Sequence, residues 1–97
     1  MKEIDRIRSI LKDHKPVLEQ RFKVKEIAIF GSYVREKEKE GSDIDILVDF
    51  SGPVGFFAFL DLEEYLQDLL KTKVDLVSKK ALKPRIGKNI LKEMILI

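Results

Sequence analysis

The chain has 97 residues, with 19 Lys plus Arg against 17 Asp plus Glu, a formal net charge of +2 and 44% hydrophobic residues. That apolar fraction excludes a charge-expanded disordered chain and suffices for one small core, so residues 1–97 read as a single domain. The absence of cysteine excludes disulfides, thiolate zinc sites and thiol nucleophiles, and one histidine excludes a multi-histidine metal centre. A charge of +2 is too small to argue for nucleic-acid binding.

Residues 2–14 place Ile4, Ile7, Ile10, Leu11 and His14 at helical spacing, which predicts an amphipathic helix. Pro16 should kink that helix or start a short second one through Val17 and Leu18. Val24 to Phe30 alternates and reads as a buried strand ended by Gly31-Ser32. YVREKEKEG can begin as a helical turn, but its alternating charges fit a solvated excursion closed by Gly41. SDIDILVDF is the clearest strand, with Ile44, Ile46, Val48 and Phe50 on one face and Asp43, Asp45, Leu47 and Asp49 on the other.

SGPVG marks a turn, and residues 55–71 carry Phe56, Phe59, Leu60, Glu63 and Leu66–Leu70 in a helical pattern. KVDLVS at 73–78 is a third strand. Pro84 opens a last helix with Ile86, Ile90 and Met94 along one face. This order predicts an α/β (α+β) fold: a small mixed β-sheet flanked by helices, with strands two and three parallel across a helical crossover. The longest apolar run, FFAFL, is far below the ~20 residues needed to span a bilayer, and the charged N-terminus does not suit a signal peptide. A soluble, cytoplasmic protein is expected.

Aspartate is depleted in strands, because it gives up hydration and has little apolar surface to pack. Asp43 and Asp45 at the start of a strand therefore need a reason. A period of two puts them on one face, roughly 6–7 Å apart, and two carboxylates at that separation can converge on a hard divalent cation. Asp49 shares the face but lies about 13 Å beyond Asp45, too far to join. A strand with one wet face explains the same pattern without a site. Two features favour the site: Asp75 near the start of the third strand, and Gly31-Ser32 after the first, where backbone N–H groups and a hydroxyl can grip phosphate oxygens.

The string GSYVREKEKEGSDIDILVDF reads as G-S, ten residues, then D-x-D, with VDLV downstream and ALKPRIGKNILKEMI beyond it. It resembles the signature of the DNA polymerase beta-like nucleotidyltransferase superfamily, specifically its minimal nucleotidyltransferase (MNT) members. The resemblance implies that Gly31 and Ser32 hold a triphosphate, that Asp43 and Asp45 bind two Mg²⁺ ions, and that Asp75 ligates a metal and helps deprotonate the attacking hydroxyl. Arg35 matches a basic residue that often follows the turn, and is read as a phosphate contact or a solvated helix-face arginine. Glu36 departs from the family, which more often has a small residue there. Such chemistry moves a nucleotide from its triphosphate to an acceptor hydroxyl with loss of pyrophosphate.

The size of the chain leaves no room for an acceptor-holding domain, so a partner or a homo-oligomer should present the acceptor. In the family that it resembles, minimal members are antitoxins that transfer AMP from ATP to a tyrosine of a HEPN-domain toxin. That is the function expected here. Its rivals are an antitoxin acting by binding alone and a nucleotidyltransferase acting on a small molecule or an RNA end. Of the remaining residues, His14 reads as a packing or surface residue and Phe56, Phe57 and Phe59 as core or partner-facing. Tyr33 reads as an exposed loop tyrosine, with nucleotide contact or modification as alternatives. Lys79, Lys80, Lys83, Arg85 and Lys88 read as a solvated basic face, with phosphate contact second.

Overall fold

The structure, a computed structural model, describes residues 3–34 and 43–97, the side chains of Ser32 and Ile86 excepted. Helix α1 (Glu3–Phe22) leads into strand β1 (Val24–Phe30) and a 3-10 turn at Gly31–Tyr33. Strand β2 (Ile44–Phe50), helix α2 (Phe56–Leu70) and strand β3 (Val74–Ser78) follow. A second 3-10 turn, helix α3 (Pro84–Glu93) and a two-residue strand β4 (Ile95–Leu96) complete the fold. The four strands form one mixed sheet in the order β3-β2-β1-β4. β2 runs antiparallel to β1 and parallel to β3, as the helical crossover requires.

The alternation in β1 and β2 sorts residues between two faces. Ile27, Ile29, Ile44, Ile46 and Val48 join Val74 and Leu76 in the core, against Ile4, Ile7, Leu11 and Leu18 of α1 and Leu62, Leu66 and Leu70 of α2. Each such side chain taken out of water stabilises the fold by about 1.5–3 kcal/mol. The opposite face carries Ala28 and Phe30 of β1 opposite Leu47 and Asp45 of β2. Ala28 and Leu47 are buried there too, beneath Met94 and Leu96.

Two expectations need correction, one alternative for Pro16 and the exposure of Tyr33. Pro16 does not start a second helix: α1 runs through it for 20 residues. The ring removes one backbone bond, but Leu18, fully buried two residues later, holds the chain in helical register. In α2 the buried stripe is Leu62, Leu66 and Leu70, whereas Phe56 and Leu60 are exposed at 70% and 41%. Tyr33 is buried at 6%, because the 3-10 turn folds it back against the core. Strand β4, which adds itself antiparallel to β1, was not anticipated. Among the described residues no helix is long and apolar enough to cross a membrane.

Candidate functional site

Three chain segments arrive at one edge of the sheet. β1 ends there at Phe30-Gly31, β2 begins there after Asp43, and the parallel β3 begins beside it. The first rung between β2 and β3 is the Ile44 N–H donating to the Lys73 carbonyl at 2.9 Å. The next residue pair in the register is Asp45 opposite Asp75, and Asp45 also stands opposite Phe30 on its other side. Asp43 precedes β2 by one residue and is exposed, as is Asp75; Asp45, between two strands, is half-buried.

Gly31 explains itself. Its φ is +78°, a conformation that favours glycine. A Cβ built there would overlap the Asp45 carboxylate oxygen and lie 3.0 Å from Asp45 Cγ. The turn backbone and the carboxylate thus share a space that no side chain at position 31 can enter. Ser32 follows in the same turn, while Arg35 and Glu36 lie outside the described residues.

Asp45 and Asp75 line an open cleft of about 500 Å³ together with Gly31 and Glu93. Leu82, Asn89 and Ile90 line the same cleft. These residues of the last helix and the turn before it were not singled out for the site by sequence. Asn89 adjoins the apolar position Ile90 and precedes Glu93 by one helical turn, which is the signal that could have placed both on one side of α3. A cleft bearing three carboxylates repels an anion unless a cation intervenes. Its acidic ligands are all hard oxygen donors, with no thiol in the chain. Among the described residues no three acidic or histidine side chains could hold a metal ion unaided. Mg²⁺ is commonly held by one or two carboxylates completed by substrate phosphates and water, and the Asp45–Asp75 pairing with Asp43 two residues upstream fits that mode of binding.

The remaining singled-out residues fall elsewhere. His14 sits within α1, its Nδ1 2.9 Å from the Ile10 carbonyl. Phe59 packs edge-on against Phe50 with ring centroids 6.3 Å apart, while Phe56 and Phe57 project into solvent. Lys79 approaches Glu26 at 3.6 Å, and Lys80, Lys83, Arg85 and Lys88 are exposed. A second groove, of about 460 Å³, lies between α1 and α2, but the Arg21 guanidinium lies over the Phe22 and Tyr65 rings along its side.

Residues 11–97 match the nucleotidyltransferase domain family. The protein adenylyltransferase MntA of Thermococcus cleftensis is 50% identical over 97 residues, covering all of this chain and 98% of that one. A solved structure provisionally described as a minimal nucleotidyltransferase superposes with a TM-score of 0.77 at 31% identity, covering 98% of this chain and 95% of the other. A toxin-antitoxin crystal structure with AMP-PNP gives a TM-score of 0.71 at 26% identity, over 99% of this chain and 72% of that one. With the G-S turn, the D-x-D strand and the third aspartate meeting at one sheet edge, the chain belongs to the nucleotidyltransferase domain family, among its minimal, MntA-type members.

Proposed function

We propose that this chain moves AMP from ATP to a hydroxyl of a HEPN-domain toxin, a tyrosine hydroxyl, and thereby acts as its antitoxin. The observation that carries the reading is the pairing of Asp45 with Asp75 on adjacent parallel strands, with the Gly31 turn packed against Asp45. The likeness to a protein adenylyltransferase at 50% identity supports adenylyl transfer. The likeness to a toxin-antitoxin complex with AMP-PNP supports the nucleotide and the type of partner.

In this reading the backbone N–H groups at Gly31 and Ser32, with the serine hydroxyl, cradle the triphosphate, and Arg35 adds a cation to it. Asp43, Asp45 and Asp75 would hold two Mg²⁺ ions, which when bound offset phosphate charge and favour ionisation of the attacking hydroxyl. Asp75 accepts the proton of the acceptor hydroxyl. The hydroxyl oxygen attacks the α-phosphorus in line with the bond to the bridging oxygen. A new P–O bond forms as that bond breaks, and pyrophosphate leaves with its electron pair. Cytoplasmic ATP is the expected source.

The test incubates ATP labelled at the α-phosphate with Mg²⁺ and the purified HEPN partner, using the wild-type chain and an Asp43→Asn/Asp45→Asn variant with matched circular dichroism. Label on the partner with wild type only is the expected result. Transfer that survives both substitutions overturns the metal-ligand assignment. Label in RNA or a small product overturns the protein acceptor. A stable complex without label in either case makes the chain an antitoxin by binding alone.

A further inference from the structure

Residues 79–92, KKALKPRIGKNILK, hold six of the chain's 19 Lys plus Arg and none of its 17 Asp plus Glu. Outside this segment the chain is net acidic, so the overall charge of +2 conceals one concentrated basic region. Within α3, Arg85, Lys88 and Lys92 stand at i, i+3 and i+7, a spacing that sets them along one face of the helix. All three are exposed, as are Lys80 and Lys83 just before the helix. Among the described residues none of these five side chains forms an ion pair, whereas Lys79 is engaged by Glu26 at 3.6 Å.

Packing fixes which way the stripe points. Gly87 of α3 is buried, and a Cβ there would stand 3.4 Å from Leu82 Cβ, so that side of the helix lies against the body of the domain. The basic stripe turns away from it. It nonetheless borders the cleft, because Asn89 and Glu93, which directly follow Lys88 and Lys92, line the cleft with Asp45 and Asp75. On the other flank Leu91, three residues after Lys88, is 42% exposed.

Lys88 and Lys92, at i and i+4, repel each other and weaken the helix that carries them. An anionic partner reverses that sign. The triphosphate of a nucleotide belongs on the cleft side, at the Gly31 turn, and not on the stripe. Single-stranded RNA is gripped by cations interleaved with aromatic rings on which bases stack, and residues 79–97 contain no aromatic residue. A protein interface sets polar and charged groups around an apolar anchor, and Leu91 supplies one.

We infer that α3 and the turn before it are the docking surface for the acceptor protein, which presents an acidic face beside the hydroxyl that receives AMP. The inference rests on the adenylyl-transfer reading above and adds where, and by what chemistry, the acceptor is recognised. The stripe steers an acidic face to the mouth of a cleft whose own carboxylates would otherwise repel it.

The test measures association of the full chain with the purified HEPN partner by biolayer interferometry at low and high salt. It compares wild type with Arg85→Glu/Lys88→Glu/Lys92→Glu and with the neutral Arg85→Gln/Lys88→Gln/Lys92→Gln, which carries the comparison should the reversed variant fail to fold. Wild type should associate fast at low salt and more slowly at high salt. Reversal should lower the low-salt rate about tenfold or more and abolish its decline with salt, with the neutral variant in between. In transfer from labelled ATP the KM for the partner should rise at unchanged kcat, and affinity for α,β-methylene ATP with Mg²⁺ should not move. Unchanged association and KM in both variants overturn the docking surface and leave adenylyl transfer standing. Loss of analogue affinity overturns it by making the stripe a nucleotide-phosphate site. If partner association is untouched while reversal abolishes binding of a single-stranded RNA oligonucleotide, or dissociates a wild-type oligomer in sedimentation, the surface belongs to RNA or to a second copy and the inference falls. Salt-dependent association that reversal abolishes, without label on the partner, keeps the surface and overturns the transfer reading. If wild type does not associate with the partner, both fall.

Discussion

Gly31→Ala isolates the contact on which the geometry of the site depends. Two penalties should combine in the variant. The first is conformational: at φ +78° an alanine costs about 1–2 kcal/mol, less about 0.4–1 kcal/mol because alanine also restricts the unfolded chain. The second is steric, since the new methyl overlaps the Asp45 carboxylate and forces it or the turn to move, about 1–3 kcal/mol for a comparable overpacking. An Asp45→Ala background separates the two. The oxygen and Cγ are gone there, the nearest remaining atom is Cβ at 3.3 Å, and only the φ penalty survives. Urea unfolding of the two single variants, the double variant and wild type, in chelator, should therefore show Gly31→Ala costing about 1–3 kcal/mol less when Asp45 is already alanine. In thermal melts each kcal/mol is about 4–8 °C for a domain of this size. Additivity within about 0.5 kcal/mol would refute the shared-space argument and leave Gly31 as a turn residue only.

Lys71 closes α2 at φ 58°, so Lys71→Gly should raise stability by up to about 1 kcal/mol, read from the urea midpoint at constant slope; a loss would mean that the lysine side chain contributes more than the backbone strain. Gln67 and Glu63 accept from the Val74 and Leu76 N–H groups on the outer edge of β3, at 3.1 and 3.2 Å. Replacing either by Leu should cost about 1–3 kcal/mol, and the pair of changes should produce concentration-dependent association by light scattering. A double variant that stays monomeric at full stability would show that water satisfies that edge. Hydrogen bonding from Arg6 holds the Glu3 carboxyl below the usual carboxylate range. Its folded value is depressed, so its contribution is present above the unfolded pKa and lost as pH falls through the folded one. Both side chains are about 40% exposed, which keeps the effect below about 1 kcal/mol. Glu3→Gln should shrink the stability difference between pH 7 and pH 3 slightly, and high salt should do the same to wild type.

How much of this was legible in the sequence depends on how local the cause was. A period of two is a local property, so the faces of β2, and with them Asp43 and Asp45 on the side away from the core, could be read directly. Asp75 opposite Asp45 followed from one further step, the helical crossover that makes β2 and β3 parallel. The buried side of α2 was left open by the sequence, because Phe56, Phe57, Phe59, Leu60, Leu62, Leu66, Leu69 and Leu70 offer several overlapping stripes, and only packing on the sheet selects Leu62, Leu66 and Leu70. Tyr33 was misread because its charged neighbours in sequence suggested solvent, while the preceding backbone turn directs it to the core. β4 is two residues whose pairing with β1 closes over more than sixty residues of chain, and no local pattern announces it.

The mixed sheet itself is what assembles the candidate site. Had the chain returned from β2 by a hairpin, the next strand would start at the far edge and its first aspartate would lie a strand length from Asp45. The α2 crossover instead carries the chain back, so β3 starts where β2 starts and where the antiparallel β1 ends. The arrangement leaves β3 as an edge strand, and the same helix answers that exposure, since Glu63 and Gln67 cover the outward amides while Leu62, Leu66 and Leu70 bind the core. The depth and register of α2 therefore govern where Asp75 sits relative to Asp45, although no residue of α2 lines the cleft. Core substitutions in that helix should thus weaken Mg²⁺–nucleotide binding beyond what their loss of stability accounts for, whereas equally destabilising substitutions at Ile4, at the start of α1, should not.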